Sequence, residues 1–288
     1  FAFISDGKFG KTRMVAICDI ISQSAMTGLN EILMNIIGSL FKFDVTYHQS
    51  FLPDYMAYHA SFSKNTLPFS SDATAFTDRL PRELNHLLMV QLFGKEIGDL
   101  WVEIVCKRRF SLSKVAVSKG LPKYVKYSTG TPMGLLTSWS SSALVHHLIV
   151  RYCHRKVGAK YNYIILGDDV SIWNPSVFNF YVNTMERLGM QLSKEKSTMS
   201  NVYSEFAKRT FVSPLDSNVI TEVTGLPGKS SAKIVDGDPS GVVGYVDQLY
   251  HRQLSRVCKK TLDLSLDREA SCIVSEQVCR VNSPLYEK

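Results

Sequence analysis

The strongest chemical signal in the chain is the run Gly167-Asp168-Asp169. It separates two apolar stretches, Tyr161-Asn-Tyr-Ile-Ile-Leu166 and Val170-Ser-Ile-Trp173. Stretches rich in Ile, Val, Tyr and Trp on either side of a short Gly/Asp turn predict a β-hairpin. Two adjacent carboxylates at its tip repel each other, and nothing in the flanking runs neutralises them. The usual remedy is a divalent cation held by hard oxygen ligands. Gly and Asp are also ordinary turn residues, and taken alone the run is more often a plain turn. A third carboxylate in a compatible context decides between the two.

Asp72 is that candidate. It stands at the predicted end of a short strand, before a helix, with Asp78 shortly after it. If the Asp72 strand pairs beside the hairpin, Asp72 and Asp168 meet at one sheet edge. Such a pair can hold two divalent ions about 3.5–4 Å apart, as two-metal phosphoryl chemistry requires. Considered alone, Asp72 fits a helix N-cap better; beside the hairpin, metal ligation overtakes capping. Lys8, Lys11 and Arg13 cluster in a Gly-containing loop that suits a triphosphate, Arg by bidentate contact and Lys as a point charge. A solvated basic loop is an equal reading. Ser128-Thr-Gly130-Thr-Pro-Met-Gly134 allows close approach of backbone to a nucleotide or template strand, or is a plain connection. Ser138, Ser140, Ser141 and Ser142 give the next helix a small-residue start. Lys194 and Lys196 follow a predicted strand, and a lysine there suits a general acid for a leaving pyrophosphate. Adjacent His146 and His147 point to different faces of a helix, so packing or hydrogen bonding fits them better than a shared metal.

The elements that must position these groups are partly legible. Leu29, Ile32, Leu33, Ile36, Ile37 and Leu40 predict a helix over 24–43. Residues 44–65 have loop character. Pro81 fits a helix start, and Leu84, Leu87, Leu88 and Leu92 predict one long helix. Residues 107–127 are basic. A helix is expected to about Val157, then the hairpin, then a helix from Pro175 to Leu188 ending at Gly189. Strands follow near 190–192 and over Glu205–Val212. Residues 214–240 read as a linker, with helical pattern beyond. The order predicts an α+β unit of ferredoxin-like type, an antiparallel sheet with packed helices.

Composition is that of an ordinary globular protein: 288 residues, 45% hydrophobic and 20% charged. Lys and Arg total 33 against 26 acidic residues, a net charge of +7 that suits a polyanionic partner. The six cysteines form no C-x-x-C pair, which argues against zinc, and free thiols are expected. The uncharged stretch 134–150 is too short and too rich in Ser and His to span a membrane. A first residue Phe1 without a signal-peptide pattern reads as a fragment.

In this order the segments resemble motifs F, A, B, C and D of viral RNA-dependent RNA polymerases. Asp72-Ala-Thr-Ala-Phe-Thr-Asp-Arg-Leu-Pro81, Gly130-Thr-Pro-Met-Gly-Leu-Leu-Thr-Ser-Trp139 and Glu205-Phe-Ala-Lys-Arg209 are most similar to mitovirus and narnavirus polymerases. The resemblance implies a right-hand polymerase: partial fingers over 1–65, a palm over 66–213, and a linker with a helical thumb-like portion over 214–288. It implies two Mg²⁺ ions, replaceable by Mn²⁺, bound by Asp72 and Asp168 with Asp169 assisting. It places Asp78 near the incoming ribose, and Lys8, Lys11 and Arg13 on the triphosphate. Lys208 and Arg209 fall at the nascent 3′ end, with Lys196 as the acid. Many viral polymerases carry an Asn in motif B to sense the 2′-hydroxyl; serines stand here, and Ser138 is the choice. The implied partners are template RNA, nascent RNA and ribonucleoside triphosphates. Mitochondrial residence follows from the mitovirus resemblance alone, with the cytoplasm as alternative. A reverse transcriptase shares the carboxylates but more often has an aromatic residue or Met where Gly167 stands. A non-catalytic remnant of an integrated viral gene is the other alternative.

Overall fold

The computed structural model describes residues 2–5, 12–40, 42–63, 66–193, 197, 200, 203–213 and 220–222. The chain divides into two units, one of residues 1–207 with 212–220, the other of 208–211 with 221–288.

The first unit opens with an antiparallel pair, β1 (Ala2–Ser5) and β2 (Thr12–Val15). Helix α1 (Ile20–Ser39) follows, its first turn closed by Asp19, whose carboxylate accepts from the Ser22 amide. A single 3₁₀ turn leads into α2 (Leu52–Ser61), where a loop was expected. Pro53 sits in its first turn, and Leu52, Met56 and Ala60 bury one face at four-residue spacing. Aromatic residues on the outer face hide that stripe in the sequence.

Strands β3 (Phe69–Ser71) and β4 (Ala73–Thr74) flank Asp72, and a helical turn α3 (Phe76–Arg79) carries Asp78. The long helix expected after Pro81 is two, α4 (Arg82–Phe93) and α5 (Lys95–Val105). Gly94 breaks them with φ +87°, a conformation that costs glycine little. The basic stretch forms β5 (Phe110–Ser111), α6 (Lys114–Ser118) and β6 (Tyr124–Val125), with β5 paired to β6. Then come α7 (Ser138–Val157), the hairpin β7 (Tyr163–Leu166) and β8 (Asp169–Ile172), α8 (Pro175–Arg187), β9 (Gln191–Leu192) and β10 (Tyr203–Phe206).

The central sheet is antiparallel in the order β3-β8-β7. Its strands alternate sides as the pleat requires. Tyr163, Ile165, Val170 and Ile172 turn to a core shared with Val145, Ile149 and Val150 of α7 and Val177, Phe178, Tyr181 and Met185 of α8. The opposite face carries a buried hydroxyl chain, Ser171–Ser70–Ser204, with Oγ–Oγ distances of 2.7 and 2.9 Å. A second core joins Leu33 and Ile37 of α1, Met89 of α4, Trp101 and Val105 of α5 and Leu144 of α7. Helix α7 is therefore packed on both sides, and its serines lie inside the protein.

In the second unit, β11 (Arg209–Val212) lies beside β12 (Thr221–Glu222). The Arg209 guanidinium grips the Glu222 carboxylate at both oxygens, Nε to Oε1 at 2.7 Å. The single strand expected over Glu205–Val212 is interrupted because Ala207 and Lys208 take left-handed φ of 53° and 59°. Among the described residues no helix is long and apolar enough to cross a membrane. The linker and helices expected over 214–288 lie outside the described residues, apart from 220–222.

Candidate active site

Asp168 stands at the tip of the β7–β8 hairpin, where Leu166 pairs with Asp169 across the two-residue turn Gly167-Asp168. Gly167 has φ +62°, and a Cβ there would lie 2.9 Å from Nε1 of Trp139. A positive φ at the first turn position alone is the pattern of a type II′ hairpin turn, which favours glycine. Asp168 is exposed and Asp169 half-buried.

The β3–β8 register pairs Ser71 with Val170, so one further step along both strands sets Asp72 across from Asp169. At Asp72 the chain also changes partner: β3 pairs with β8, whereas β4 pairs with β9, and the Asp72 carbonyl accepts from the Ser193 amide at 2.9 Å. Asp72 caps no helix, since the N-cap of α3 is Ala75, without a side-chain bond. Asp72 follows the last paired residue of β3, and Asp168 and Asp169 form the turn and first residue of its neighbour β8. Among the described residues no group of three or more His, Cys, Asp or Glu is gathered closely enough to hold a metal by itself.

Asp78 and the glycine loop come together. The Asp78 Oδ1 accepts from the Tyr127 hydroxyl at 2.8 Å, and burial with the adjacent carboxylate pushes that phenol upward. The Thr131 amide donates to the Thr77 carbonyl at 2.7 Å. Gly130, at φ +65°, would carry a Cβ 2.2 Å from the Asp78 carbonyl oxygen. The close approach expected at Gly130 is therefore made to the chain's own α3 backbone. Gly134 comes equally close to Val15 and Ala16, whose amide donates to the Met133 carbonyl at 2.8 Å.

Two residues the sequence reading passed over hold the end of that loop. Gln23 of α1 donates to the Gly134 carbonyl at 2.8 Å and accepts from the Leu136 amide at 3.0 Å. Asn30 accepts from the Thr137 amide at 3.2 Å and the Ser140 hydroxyl at 2.8 Å. Their seven-residue spacing puts both on one helix face, but α1 also carries Ser22, Ser24, Thr27, Glu31 and Asn35, so the pair does not stand out in the sequence. Ser138 is buried, and its Oγ, like that of Ser142, has no hydrogen-bond partner.

His146 and His147 diverge as adjacent helical residues must. His146 lies between the Gly167 carbonyl, 2.8 Å from Nδ1, and the Tyr181 hydroxyl, 2.8 Å from Nε2. A carbonyl only accepts, so Nδ1 carries the proton and Nε2 accepts from Tyr181. Burial lowers the imidazole to about 4 and keeps it neutral. Burial also raises the Tyr181 phenol, with a smaller push from the Asp168 charge. His147 faces the root of the hairpin, between Asp44 Oδ2 at 2.9 Å and the Tyr163 hydroxyl at 3.1 Å.

Of the expected phosphate clamp, Lys8 and Lys11 lie outside the described residues, as do Lys194 and Lys196. The Arg13 backbone, expected in a loop, lies in β2 opposite Ile4. Lys208 is exposed at a turn, whereas Arg209 is engaged with Glu222.

The family model of the mitovirus RNA-dependent RNA polymerase matches residues 1–263. The chain is 30% identical over 203 residues to the RNA-directed RNA polymerase of Cryphonectria parasitica mitovirus 1, covering 69% of this chain and 24% of that protein. It is 32% identical over 173 residues to the uncharacterized mitochondrial protein AtMg01110 of Arabidopsis thaliana, covering 55% of this chain and 68% of that one. Its fold is similar to that of a telomerase from Candida albicans, with a TM-score of 0.52, 12% identity, and 90% of this chain and 52% of that chain covered. The chain spans about a quarter of the viral polymerase it matches. With the family model covering most of its length, the chain belongs to the mitovirus RNA-dependent RNA polymerase family.

Proposed function

We propose that the full-length protein synthesises RNA on an RNA template, with this chain supplying the palm and its catalytic carboxylates over 66–213, partial fingers over 1–65 and a thumb-like portion beyond 214. The observation that supports the reading is the β3–β8 register, which pairs Ser71, the residue before Asp72, with Val170, the residue after Asp169. The donor set fits Mg²⁺, and Mn²⁺ in its place: all three ligands are hard carboxylate oxygens. Mg²⁺ is commonly bound by one or two carboxylates plus water and substrate phosphates, so a site completed by nucleotide needs no cage of three protein groups. Asp72 and Asp168 would hold the ions, with Asp169 in support. Bound there, the ions would lower the pKa of the 3′-hydroxyl and balance charge on the leaving pyrophosphate.

The chain's own groups then have distinct tasks. The 3′-oxygen attacks the α-phosphorus, and the bond to pyrophosphate breaks. Lys8, Lys11 and Arg13 hold the triphosphate, and Lys196 supplies a proton to the departing group. Asp78, held by Tyr127 and by the Gly130 turn, faces the ribose, with the buried Ser138 hydroxyl as sensor of the 2′-hydroxyl. Lys208 contacts the nascent 3′ end. Arg209 supports that turn through Glu222, a change from the direct contact expected of it. Mitochondrial residence fits the mitovirus membership.

The test is primer extension on an RNA template by the full-length protein, with Asp168→Ala as control. Ribonucleotide incorporation that the substitution abolishes is the expected result. Equal activity of the two proteins sinks the site assignment, and a preference for deoxynucleotides sinks the RNA-polymerase reading.

A further inference from the structure

Helix α7 grips the catalytic turn from behind. Trp139 and His146 are two helical turns apart on one face, and Gly167 is wedged against both. The imidazole also packs at 5.0 Å between ring centroids from Phe76 of α3, the helical turn that follows Asp72. Its far nitrogen meets Tyr181 of α8. One buried side chain thereby touches the element after Asp72, the turn before Asp168 and the helix behind both.

We propose that His146, oriented by Tyr181, is a positioning residue for the metal-binding edge: its Nδ1–H fixes the Gly167 carbonyl and so sets where the Asp168 carboxylate points. The proposal rests on the assignment of Asp168 as a metal ligand. Outer residues that orient ligands commonly change metal affinity or rate by about 10–100-fold when altered. The hairpin flanks are packed, but the turn itself carries one exposed carboxylate. The bond to the Gly167 carbonyl fixes the peptide plane that leads into Asp168, and with it the backbone from which that carboxylate departs.

The test uses the full-length protein and the variants His146→Asn, His146→Gln and Tyr181→Phe. Asn places an amide donor where Nδ1 stands, whereas Gln places one where Nε2 stands. Mn²⁺ affinity is read by electron paramagnetic resonance with a non-hydrolysable nucleoside triphosphate present, since nucleotide completes the site, and kcat and KM for nucleotides by primer extension. His146→Gln is expected to weaken Mn²⁺ binding and lower kcat about 10–100-fold, with KM little changed. His146→Asn is expected to retain most of both. Tyr181→Phe, which keeps the ring volume, is expected to fall between them. Wild-type Mn²⁺ affinity in His146→Gln overturns the proposal, as does equal impairment of the Asn and Gln variants. Should His146→Gln melt below the assay temperature, unchanged Mn²⁺ affinity in Tyr181→Phe overturns it. An active Asp168→Ala protein instead overturns the site reading, whatever the His146 variants show.

Discussion

Strand β7 is held by different physics at its two ends. At the tip, Gly167 is fixed by one neutral imidazole and an indole edge, and the charge on Asp168 is left at the surface. At the root, titratable polar side chains are buried. Asp44 and His147 are each 2% exposed at the side chain, and Arg151 Nε donates to the Tyr163 hydroxyl at 3.0 Å, which itself meets His147. Burial pushes that hydroxyl up to about 12. His154 and His59 tie down Asn162 beside it, by Nε2 to the Asn162 amide at 3.3 Å and by Nδ1 to Asn162 Oδ1 at 2.7 Å. A buried, mutually hydrogen-bonded polar network specifies one geometry but tolerates no loss of a partner. On the proposed site reading the tip accepts ions and a nucleotide, and a permanent cation there would compete with them. The root anchors the hairpin so that the tip can stay electrostatically open.

That contrast can be broken in several ways. Asp168→Ala should abolish primer extension by about 10³-fold or more, because each bound ion contributes several kcal/mol to the transition state. Its melting temperature should not fall, since a repelling charge is removed; a large fall would mean that the tip is structural after all. Asp44→Ala should do the reverse, costing about 1–3 kcal/mol in chemical denaturation by leaving the buried His147 Nε2 without its hydrogen-bond partner. A loss below about 1 kcal/mol would remove the root from the comparison.

Acid should attack both ends. Burial lowers His59 and His154, and lowers His146 to about 4 against 6.5 when free. Between those values the unfolded chain binds more protons than the folded one, so stability rises with pH and is lost as pH falls from 6.5 towards 4. His146 alone contributes on the order of 3 kcal/mol over that window. Melting temperature against pH measures it, and a flat profile from 7 to 4 contradicts neutral burial. Gly167→Ala should cost about 1–2 kcal/mol for its left-handed φ, before any displacement of Trp139. At the small end, the exposed Lys95–Asp99 pair joins α5 to itself, and Lys95→Ala should leave the melting temperature unchanged.

The hairpin, the helix after it and the helix before it were legible because their signals are local: alternation, a Gly/Asp turn, and the glycine that ends a helix. Helix α2 was not, since aromatic residues on its outer face blur the apolar stripe. The split at Gly94 and the turn at Ala207–Lys208 were missed because each depends on one or two left-handed residues inside an otherwise continuous pattern. Within the site, Asp72, Asp168 and Asp169 stood out by type and spacing. His146 was read as a packing or hydrogen-bonding residue, though its partners were not identified, and Gln23 and Asn30 passed unnoticed, because these partners are distant carbonyls and amides that carry no signature of their own.

The sequence alone thus determined which groups could do the chemistry, since carboxylate pairs, turn glycines and basic loops are properties of residue type and short spacing. Only the tertiary structure decided how they meet. The register of β3 on β8 pairs Ser71 with Val170, next to Asp72 and Asp169, and the Gly130 turn closes on Asp78. Strand pairing and backbone contact between remote segments are settled by packing of the whole core, and no local pattern encodes them.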